Sequence, residues 1–311
     1  MKTAFVFPGQ GSQHVGMGKD LCDHFDEARA VYDEASAALQ YDVRELSFQG
    51  PKDELNRTFR TQPCLLTASI AAGNVLRSRN ILPYCVAGHS LGEYSAIVAA
   101  GVISFRDAVV LTEKRGTFMQ EAVPEGKGLM AAIIGLARDK VDEICLSVTS
   151  GYVSPANYNC PGQIVIAGEK PAVETAMELS KEAGARKVMA LAVSAPSHCT
   201  LMVEASNRLA AVLEPMRFNA PAVPVVNNAE AMFLTSGDRI KNSLIKQLNS
   251  PLLWEDSVRN MVNSGVTTFI EVGPGRVLSG LIKRIDATVR IMNVEDSASL
   301  NKTLAALSEA D

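Results

Sequence analysis

Apolar runs alternate with polar, helix-favouring stretches along the first third of the chain. Residues 3–7 favour a buried strand that ends in a Pro-Gly-Gln-Gly turn, and residues 18–39 favour a helix. A second helix is predicted over residues 63–79, before Pro83, and a second strand over residues 84–87. Strands that alternate with helices in this way predict an α/β fold.

From about residue 126 the order changes to strand, helix, strand, strand, helix, strand, which is that of the ferredoxin-like (βαββαβ) unit. These elements are predicted at residues 129–134, 138–147, 153–159, 164–167, 170–183 and 187–192. We therefore expect residues 125–194 to form a small ferredoxin-like domain. It is inserted into a large α/β-hydrolase-like domain with a parallel sheet, made of residues 1–124 and 195–311. Further elements of the large domain are predicted at residues 202–214, 223–226, 252–264, 267–272 and 277–285.

A glycine-rich turn lies at residues 88–92 (GHSLG). A serine inside G-x-S-x-G occupies a strained strand-to-helix turn that exposes its hydroxyl. The pattern alone is equally that of a flexible turn, but the apolar run 85–87 before it and the alanine-rich helix 93–100 after it are the context of a nucleophile elbow. They favour Ser90 as a nucleophile. They also place the N–H of Leu91 at a helix N-terminus, where it can meet an oxyanion.

A serine nucleophile needs a neighbouring base, and histidine is the usual one because its pKa lies near neutrality. We expect His14, His24 and His89 to be surface or capping residues, and His89 should point away from Ser90 because it adjoins that residue. His198 follows a proline turn before a predicted helix. From the residues alone, His198 is equally a helix-start residue or the base.

Composition and charge narrow the class of protein. The 311 residues are 47% hydrophobic and 21% charged, as in ordinary globular proteins, and a net charge of -4 provides no basic field for nucleic acid. Six cysteines scatter without CxxC spacing, so we expect reduced core thiols and no metal or redox site. The N-terminal apolar run is too short for a signal peptide or a membrane span, which predicts a soluble, cytoplasmic protein.

Six sequence blocks, spread over nearly the whole chain, resemble one family. They are residues 7–13 (FPGQGSQ), 88–94 (GHSLGEY), 114–116 (KRG), 157–163 (NYNCPGQ), 194–198 (SAPSH) and 271–275 (EVGPG). In this order they resemble the malonyl-CoA:acyl-carrier-protein transacylases of fatty-acid synthesis, with the acyltransferase domains of polyketide synthases as relatives. Any one block would be weak, whereas six in the same order exclude coincidence.

The resemblance implies a reaction and roles for four residues. Ser90 is acylated, His198 is the base, and the backbone N–H groups of Gln10 and Leu91 form the oxyanion hole. The implied reaction is ping-pong transfer of the malonyl group from malonyl-CoA to the phosphopantetheine thiol of holo acyl carrier protein. It uses no metal or redox cofactor, and we expect the protein to act as a monomer.

The resemblance also implies how the substrate is chosen and how the histidine is held. Arg115 binds the malonyl carboxylate, which a guanidinium fork can hold through two hydrogen bonds. The family has no triad carboxylate, and the backbone carbonyl of Gln247 orients the histidine instead. Acidic carrier proteins need a basic face for docking. Arg276, Lys283 and Arg284 are the candidates for it, although they are equally compatible with an ordinary solvated face.

Three alternatives stay open. A stand-alone acyltransferase that serves a polyketide synthase would look nearly the same. A serine hydrolase shares G-x-S-x-G but needs a catalytic acid between the serine and the histidine, and no motif marks one. A catalytically silent scaffold that binds carrier proteins would have no chemical reason to keep Ser90, His198 and Arg115 together.

Overall fold

The computed structural model describes residues 2–124, 126–191 and 195–308. Within these residues the strands are β1 (Thr3–Phe7), β2 (Cys85–Gly88), β3 (Gly128–Ile134), β4 (Val153–Cys160), β5 (Gln163–Glu169), β6 (Lys187–Ala190), β7 (Val225–Val226), β8 (Phe233–Leu234), β9 (Thr268–Val272) and β10 (Arg290–Val294). The helices are α1 (Lys19–His24), α2 (Asp26–Leu39), α3 (Val43–Phe48), α4 (Lys52–Leu55), α5 (Thr58–Arg77), α6 (Gly92–Ala99), α7 (Phe105–Ala122), α8 (Arg138–Ser147), α9 (Lys170–Glu182), α10 (Val203–Leu213), α11 (Gly237–Asn249), α12 (Trp254–Asn263), α13 (Val277–Ile285) and α14 (Ser297–Ser308).

The larger sheet of the described chain has the order β10-β9-β1-β2-β7-β8. Its strands pair in parallel except for β8, which lies antiparallel to β7 at one edge. Every residue of β1 is buried, as expected for an apolar strand covered on both faces. Phe5 and Phe7 pack in the core with α2, α5 and α7, whereas Ala4 and Val6 pack with α12 and α13. Helices therefore cover both faces of this sheet.

The smaller sheet is antiparallel, in the order β4-β5-β3-β6. Its elements follow the chain as β3-α8-β4-β5-α9-β6, which is the predicted order. Helices α8 and α9 cover one face, and on the other face Met130 and Val165 pack against Cys199, next to His198. Backbone hydrogen bonds between β4 and Leu252 join the smaller sheet to the segment that precedes α12. The predicted combination of a parallel sheet with a second sheet in a mixed α/β fold is confirmed.

Two predicted helices differ from the observed ones. The helix predicted over residues 18–39 is broken into α1 and α2 because Phe25 is extended (φ -132°, ψ 124°) and packs its ring against the core. Helix α5 begins at Thr58, and Pro63 lies in its second turn instead of at its start. A proline there removes one hydrogen bond of the helix and crowds the carbonyl four residues before it, but its φ suits a helix, and burial of α5 along most of its length offsets that cost.

Some predictions fall where the structure is not described. The strand predicted over residues 187–192 ends at Ala190, and residue 192 lies outside the described residues. The predicted ends of the small domain, residues 125 and 194, also lie outside them. The pattern analysis did not predict α3, α4, α11, α14, β8 or β10, and α11 matters most because it carries Gln247.

The interior agrees with the expectation drawn from the cysteines. All six are buried and free, and burial raises the pKa of the thiols, to about 12 for Cys64. Such thiols stay protonated and behave as small apolar side chains. In the described part of the chain, no helix combines the length and the apolar character that crossing a membrane would require.

Candidate active site

The turn between β2 and α6 holds Ser90 in a left-handed conformation (φ 52°). Glycines on both sides make this turn possible. A Cβ on Gly88 would lie 1.8 Å from the carbonyl carbon of Gly92, and a Cβ on Gly92 would lie 2.0 Å from the carbonyl oxygen of Phe7. The strand, the helix and the loop after β1 therefore approach one another more closely than any side chain would permit, and the serine hydroxyl is lifted out of the turn.

Ser90 and His198 form a hydrogen-bonded pair. His198 Nε2 lies 2.8 Å from Ser90 Oγ, and His198 Nδ1 lies 2.9 Å from the main-chain oxygen of Gln247. A carbonyl oxygen can only accept, so Nδ1 carries the proton and Nε2 is free to accept the serine hydroxyl proton. Among the described residues no carboxylate bonds to His198, so the acid that a hydrolase triad would need is absent from this position.

The last turn of α11 explains how a carbonyl comes to hold the histidine. Carbonyl groups in the last turn of a helix have no partner within the helix. The Gln247 carbonyl accepts from the His198 ring, and the Leu248 carbonyl accepts from the His198 main-chain N–H at 3.1 Å. The negative end of the helix dipole also favours positive charge on the imidazole during a proton transfer.

His198 is neutral near pH 7. The pKa of this imidazole is lowered to about 3, mainly by burial and next by the positive charge of Arg115, while the bond to the Gln247 carbonyl opposes both effects. The side chain is 1% exposed, so a charge on it would be poorly solvated. A neutral imidazole is the form that can accept a proton from serine.

Arg115 is a buried cation beside the serine. It is 1% exposed on α7 and donates to Gln62 Oε1 (2.8 Å), Gln247 Oε1 (3.0 Å) and Ser90 Oγ (3.2 Å). No carboxylate of the described residues lies within 4.0 Å of its guanidinium, and its Nε has no hydrogen-bond partner among them. Burial accordingly lowers the pKa of Arg115. A buried cation without an ion pair is costly, so this position suits an anionic ligand.

The loop after β1 brings Gln10 to the same cleft. A Cβ on Gly9 would lie 2.3 Å from the carbonyl oxygen of His89, so glycine lets this loop lie directly against the elbow. The N–H of Leu91 lies at the start of α6. In the described part of the chain, the main-chain N–H groups of Gln10 and Leu91 donate to no other group. Both amides are therefore available to an oxygen of a ligand.

The cleft is lined by the loops that follow β1 and β2 of the larger sheet and by strands of the smaller sheet. It measures about 110 Å³, enough for several water-sized groups and hence for a short acyl chain. Its lining combines Ser90, His198 and other polar residues with apolar side chains, and Met119, Met130, Val165 and Leu191 are among the latter.

The other histidines do not take part in the pair. His14 and His24 are exposed, as expected. His89 points away from Ser90, also as expected, but it is not a surface residue. Its Nε2 lies 2.8 Å from Asn159 Oδ1, its ring meets the edge of Trp254, and burial lowers its pKa. His89 therefore joins the elbow to β4.

The family model of an acyl transferase domain matches residues 4–302. The chain belongs to the acyl transferase domain family. The malonyl CoA-acyl carrier protein transacylase of Escherichia coli (strain K12) is 51% identical over 303 residues, which cover 97% of this chain and 98% of that protein. An acyl carrier protein S-malonyltransferase from Vibrio cholerae has a crystal structure that superposes with a TM-score of 0.95 at 49% identity, covering 97% of this chain and 100% of the other. A malonyl-transacylase in complex with its type II PKS acyl-carrier protein gives a TM-score of 0.96 at 49% identity, covering 98% and 100%.

In this acyl transferase the candidate docking residues all lie near α13 and are exposed. Arg276 lies 4.0 Å from Glu295, and Lys283 Nζ donates to the Ala287 carbonyl. Arg284 differs because its guanidinium donates to the turn between β4 and β5, at Gln163 Oε1 and the Pro161 carbonyl. Arg284 therefore already ties α13 to the smaller sheet, whereas Arg276 and Lys283 keep their charges largely in solvent.

Three buried polar residues of the acyl transferase site were missed in the sequence. Gln62 bonds to Arg115, and Glu93 and Asn228 bond around the elbow. Glu93 offered a signal, since it is a charged residue at the start of an otherwise apolar helix. Asn228 offered none, because it lies in a loop and reaches the elbow only through the fold. Across the described residues, no group of three His, Cys, Asp or Glu side chains is placed to hold a metal ion.

Proposed function

We propose that this acyl transferase moves the malonyl group from malonyl-CoA to the phosphopantetheine thiol of holo acyl carrier protein, and so supplies fatty-acid synthesis. The observation that carries the proposal is the buried Arg115 guanidinium, which lacks a carboxylate partner among the described residues and lies 3.2 Å from Ser90 Oγ. The relatives named for malonyl transfer to acyl carrier protein support the same substrate pair.

In the first half-reaction, Ser90 Oγ attacks the thioester carbonyl of malonyl-CoA while His198 Nε2 takes the hydroxyl proton. The carbonyl oxygen becomes an oxyanion that the N–H groups of Gln10 and Leu91 stabilise. The carbon–sulfur bond then breaks, and the CoA thiolate leaves with the proton from His198. The product is a malonyl ester on Ser90.

The second half-reaction follows the same steps in reverse order. The phosphopantetheine thiol gives its proton to His198 Nε2 as its sulfur attacks the serine ester. The same two N–H groups stabilise the oxyanion. The ester bond then breaks, and Ser90 Oγ recovers the proton from His198. The carbonyl of Gln247 holds the ring through both halves by accepting from Nδ1. No cofactor enters either half of the proposed reaction.

Arg115 selects the acyl group in this proposal. A malonyl chain is short, so its free carboxylate must be bound close to the carbonyl that Ser90 attacks. The Arg115 guanidinium lies 3.2 Å from Ser90 Oγ, so it is close enough to hold the carboxylate through two hydrogen bonds. An acetyl group would occupy the cleft and leave the buried arginine unpaired, which is unfavourable.

The domain division and the finer fold class remain part of the proposal. We infer that residues 125–194 form a small ferredoxin-like domain within a large α/β-hydrolase-like domain made of residues 1–124 and 195–311. The order of the smaller sheet, β4-β5-β3-β6, supports the first description, and the parallel sheet with its serine elbow supports the second. We also propose a monomer, because a single chain supplies the cleft with residues from the loops after β1 and β2 and from the smaller sheet.

A second candidate is malonyl transfer to a carrier protein of a polyketide synthase. It is favoured by the similar malonyl-transacylase in complex with its type II PKS acyl-carrier protein. The chemistry at Ser90 is the same in both cases. Only the carrier protein differs, so a comparison of holo carrier proteins as acceptors would separate the two.

The proposed function is tested by the intact mass of the protein after brief exposure to malonyl-CoA, followed by addition of holo carrier protein. We expect a malonyl adduct that Ser90→Ala abolishes and that moves to the carrier. An adduct lost to water as fast as it forms would indicate a hydrolase. If no adduct formed, the scaffold alternative would be favoured.

A further inference from the structure

Glu93 is a fully buried carboxyl group beside the elbow, in the first turn of α6. Its Oε2 accepts from the Asn228 main-chain N–H (3.0 Å) and from Gln247 Nε2 (2.9 Å). Its Oε1 has no hydrogen-bond partner among the described residues. Burying a carboxyl group costs free energy unless hydrogen bonds to neighbouring groups compensate for the lost water. The reaction steps above give it no task.

The two partners of Glu93 hold the reacting groups. Gln247 Nε2 also donates to the Ser90 carbonyl at 2.9 Å, while the Gln247 main-chain oxygen holds His198. Asn228 Oδ1 accepts from the Ser90 N–H at 2.8 Å, and Asn228 Nδ2 donates to the carbonyl of residue 88 at 2.7 Å. Glu93 therefore bonds directly to both residues that hold the Ser90 turn, Asn228 and Gln247. Gln247 also holds the base, His198.

We propose that Glu93 is a positioning residue that keeps Ser90 and His198 in register by accepting hydrogen bonds from Gln247 and Asn228. The inference rests on the proposed function, since it concerns the rate at which Ser90 is acylated. In a serine triad a carboxylate bonds to the imidazole directly. Here the carboxyl acts through an amide and a main-chain carbonyl, and it orients the nucleophile turn as well.

The geometry argues for positioning through hydrogen bonds and not for neutralisation of Arg115. Glu93 and the guanidinium form no ion pair within 4.0 Å, and the guanidinium bonds to amide and hydroxyl oxygens instead. Only one oxygen of Glu93 is used. A glutamine at this position can present its amide oxygen to the same two donors and place its NH₂ group where Oε1 has no partner. The amide should therefore replace the carboxyl.

The test compares single-turnover acylation of the full chain in Glu93→Met and Glu93→Gln. Acylation is followed by rapid-quench intact mass, in separate experiments with saturating malonyl-CoA and with saturating acetyl-CoA. The rate constant reports how well the reacting groups are positioned, and the amplitude reports the fraction of folded molecules. A displacement of about 1 Å costs on the order of 100-fold in rate. We therefore expect Glu93→Met to slow acylation about 10- to 100-fold, by the same factor for both acyl groups. Glu93→Gln should stay within about threefold of the original chain.

Glu113→Met is the matched control, because Glu113 is a partly buried glutamate that pairs with Arg60 away from the elbow. The acylation rate constant of Glu113→Met should equal that of the original chain. Glu93→Ala is the second variant if Glu93→Met does not fold. The proposal is overturned if Glu93→Met or Glu93→Ala is acylated at the original rate, if the loss is confined to malonyl, or if Glu93→Gln is as slow as Glu93→Met. Failure of the proposed function would appear separately, as the lack of a Ser90-dependent adduct on the unaltered chain.

Discussion

Replacing Arg115 by methionine would remove the buried cation while keeping an unbranched side chain in the space it fills. In the proposed complex the guanidinium holds the malonyl carboxylate in a buried site. Truncating one partner of a buried, hydrogen-bonded charge pair costs about 2–5 kcal/mol. At about 1.4 kcal/mol for each factor of ten, that is roughly a 30- to 5,000-fold loss in kcat/KM for malonyl-CoA.

The same change should cost acetyl transfer little, because acetyl has no carboxylate for the guanidinium to hold and His198 Nε2 contacts Ser90 Oγ directly. The preference for malonyl over acetyl should therefore fall by about the factor that malonyl transfer loses. Rates of Ser90 acylation measured by intact mass with each acyl-CoA give this ratio directly. Lys114→Met is the matched control, since it removes the neighbouring exposed cation on the same helix and should leave the ratio unchanged.

Losing both activities by equal factors would refute this reasoning. Arg115 would then act by holding Gln62, Gln247 and Ser90 in place through its three hydrogen bonds, and not by binding the carboxylate. Arg115→Lys separates the effects further. It keeps the charge but loses the planar fork, so it should recover only part of the malonyl preference.

Three other outcomes are expected. The pKa of His198 in the free protein is lowered to about 3, so kcat/KM for acylation should be nearly flat between about pH 5 and 8, whereas a histidine with a pKa of about 6.5 would lose roughly tenfold by pH 5.5. Glu93→Gln is the control, since the pKa of Glu93 is raised to about 7 by burial. Gly92→Ala should abolish acylation or folding, because its Cβ would lie 2.0 Å from a main-chain oxygen, whereas Gly280→Ala has nothing within 4 Å and should be harmless by thermal melting. Arg276→Glu should raise KM for holo carrier protein and leave KM for malonyl-CoA unchanged in steady-state assays, and equal effects on both would argue against docking there.

The fold was largely predictable because the spacing of apolar residues along one sequence already indicates which segments form buried strands and helices. Strand β1 is apolar at every position, and helices cover both faces of the sheet that contains it. Helix α11 was missed although Ile240, Leu244 and Leu248 recur at helical spacing and are buried. The break at Phe25 could not be predicted in this way, because one extended residue leaves the helical pattern on either side intact.

The site was predictable only in part, because its geometry depends on contacts between distant segments. Nothing local to Gln247 shows that the last turn of α11 ends beside His198, and that meeting depends on how the loop and the helix pack. Arg115 carried a signal that was not used. It lies at helical spacing between Leu111 and Met119, which are both buried, and a cation in the middle of an apolar face is itself an indication of a site.

The electrostatics of the site connect substrate choice with the strength of the base. The cleft presents His198 with the positive charge of Arg115 and with the partial negative charge at the end of α11, and no described carboxylate bonds to the imidazole. Burial is the main cause that lowers the pKa of His198, and the charge of Arg115 is the second. In the proposed complex a malonyl carboxylate pairs with Arg115 and offsets this second cause. The substrate thus supplies next to the base a negative charge that a triad acid would otherwise provide. Acetyl brings no such charge, so under this proposal we expect the site to discriminate against it in the chemical step as well as in binding.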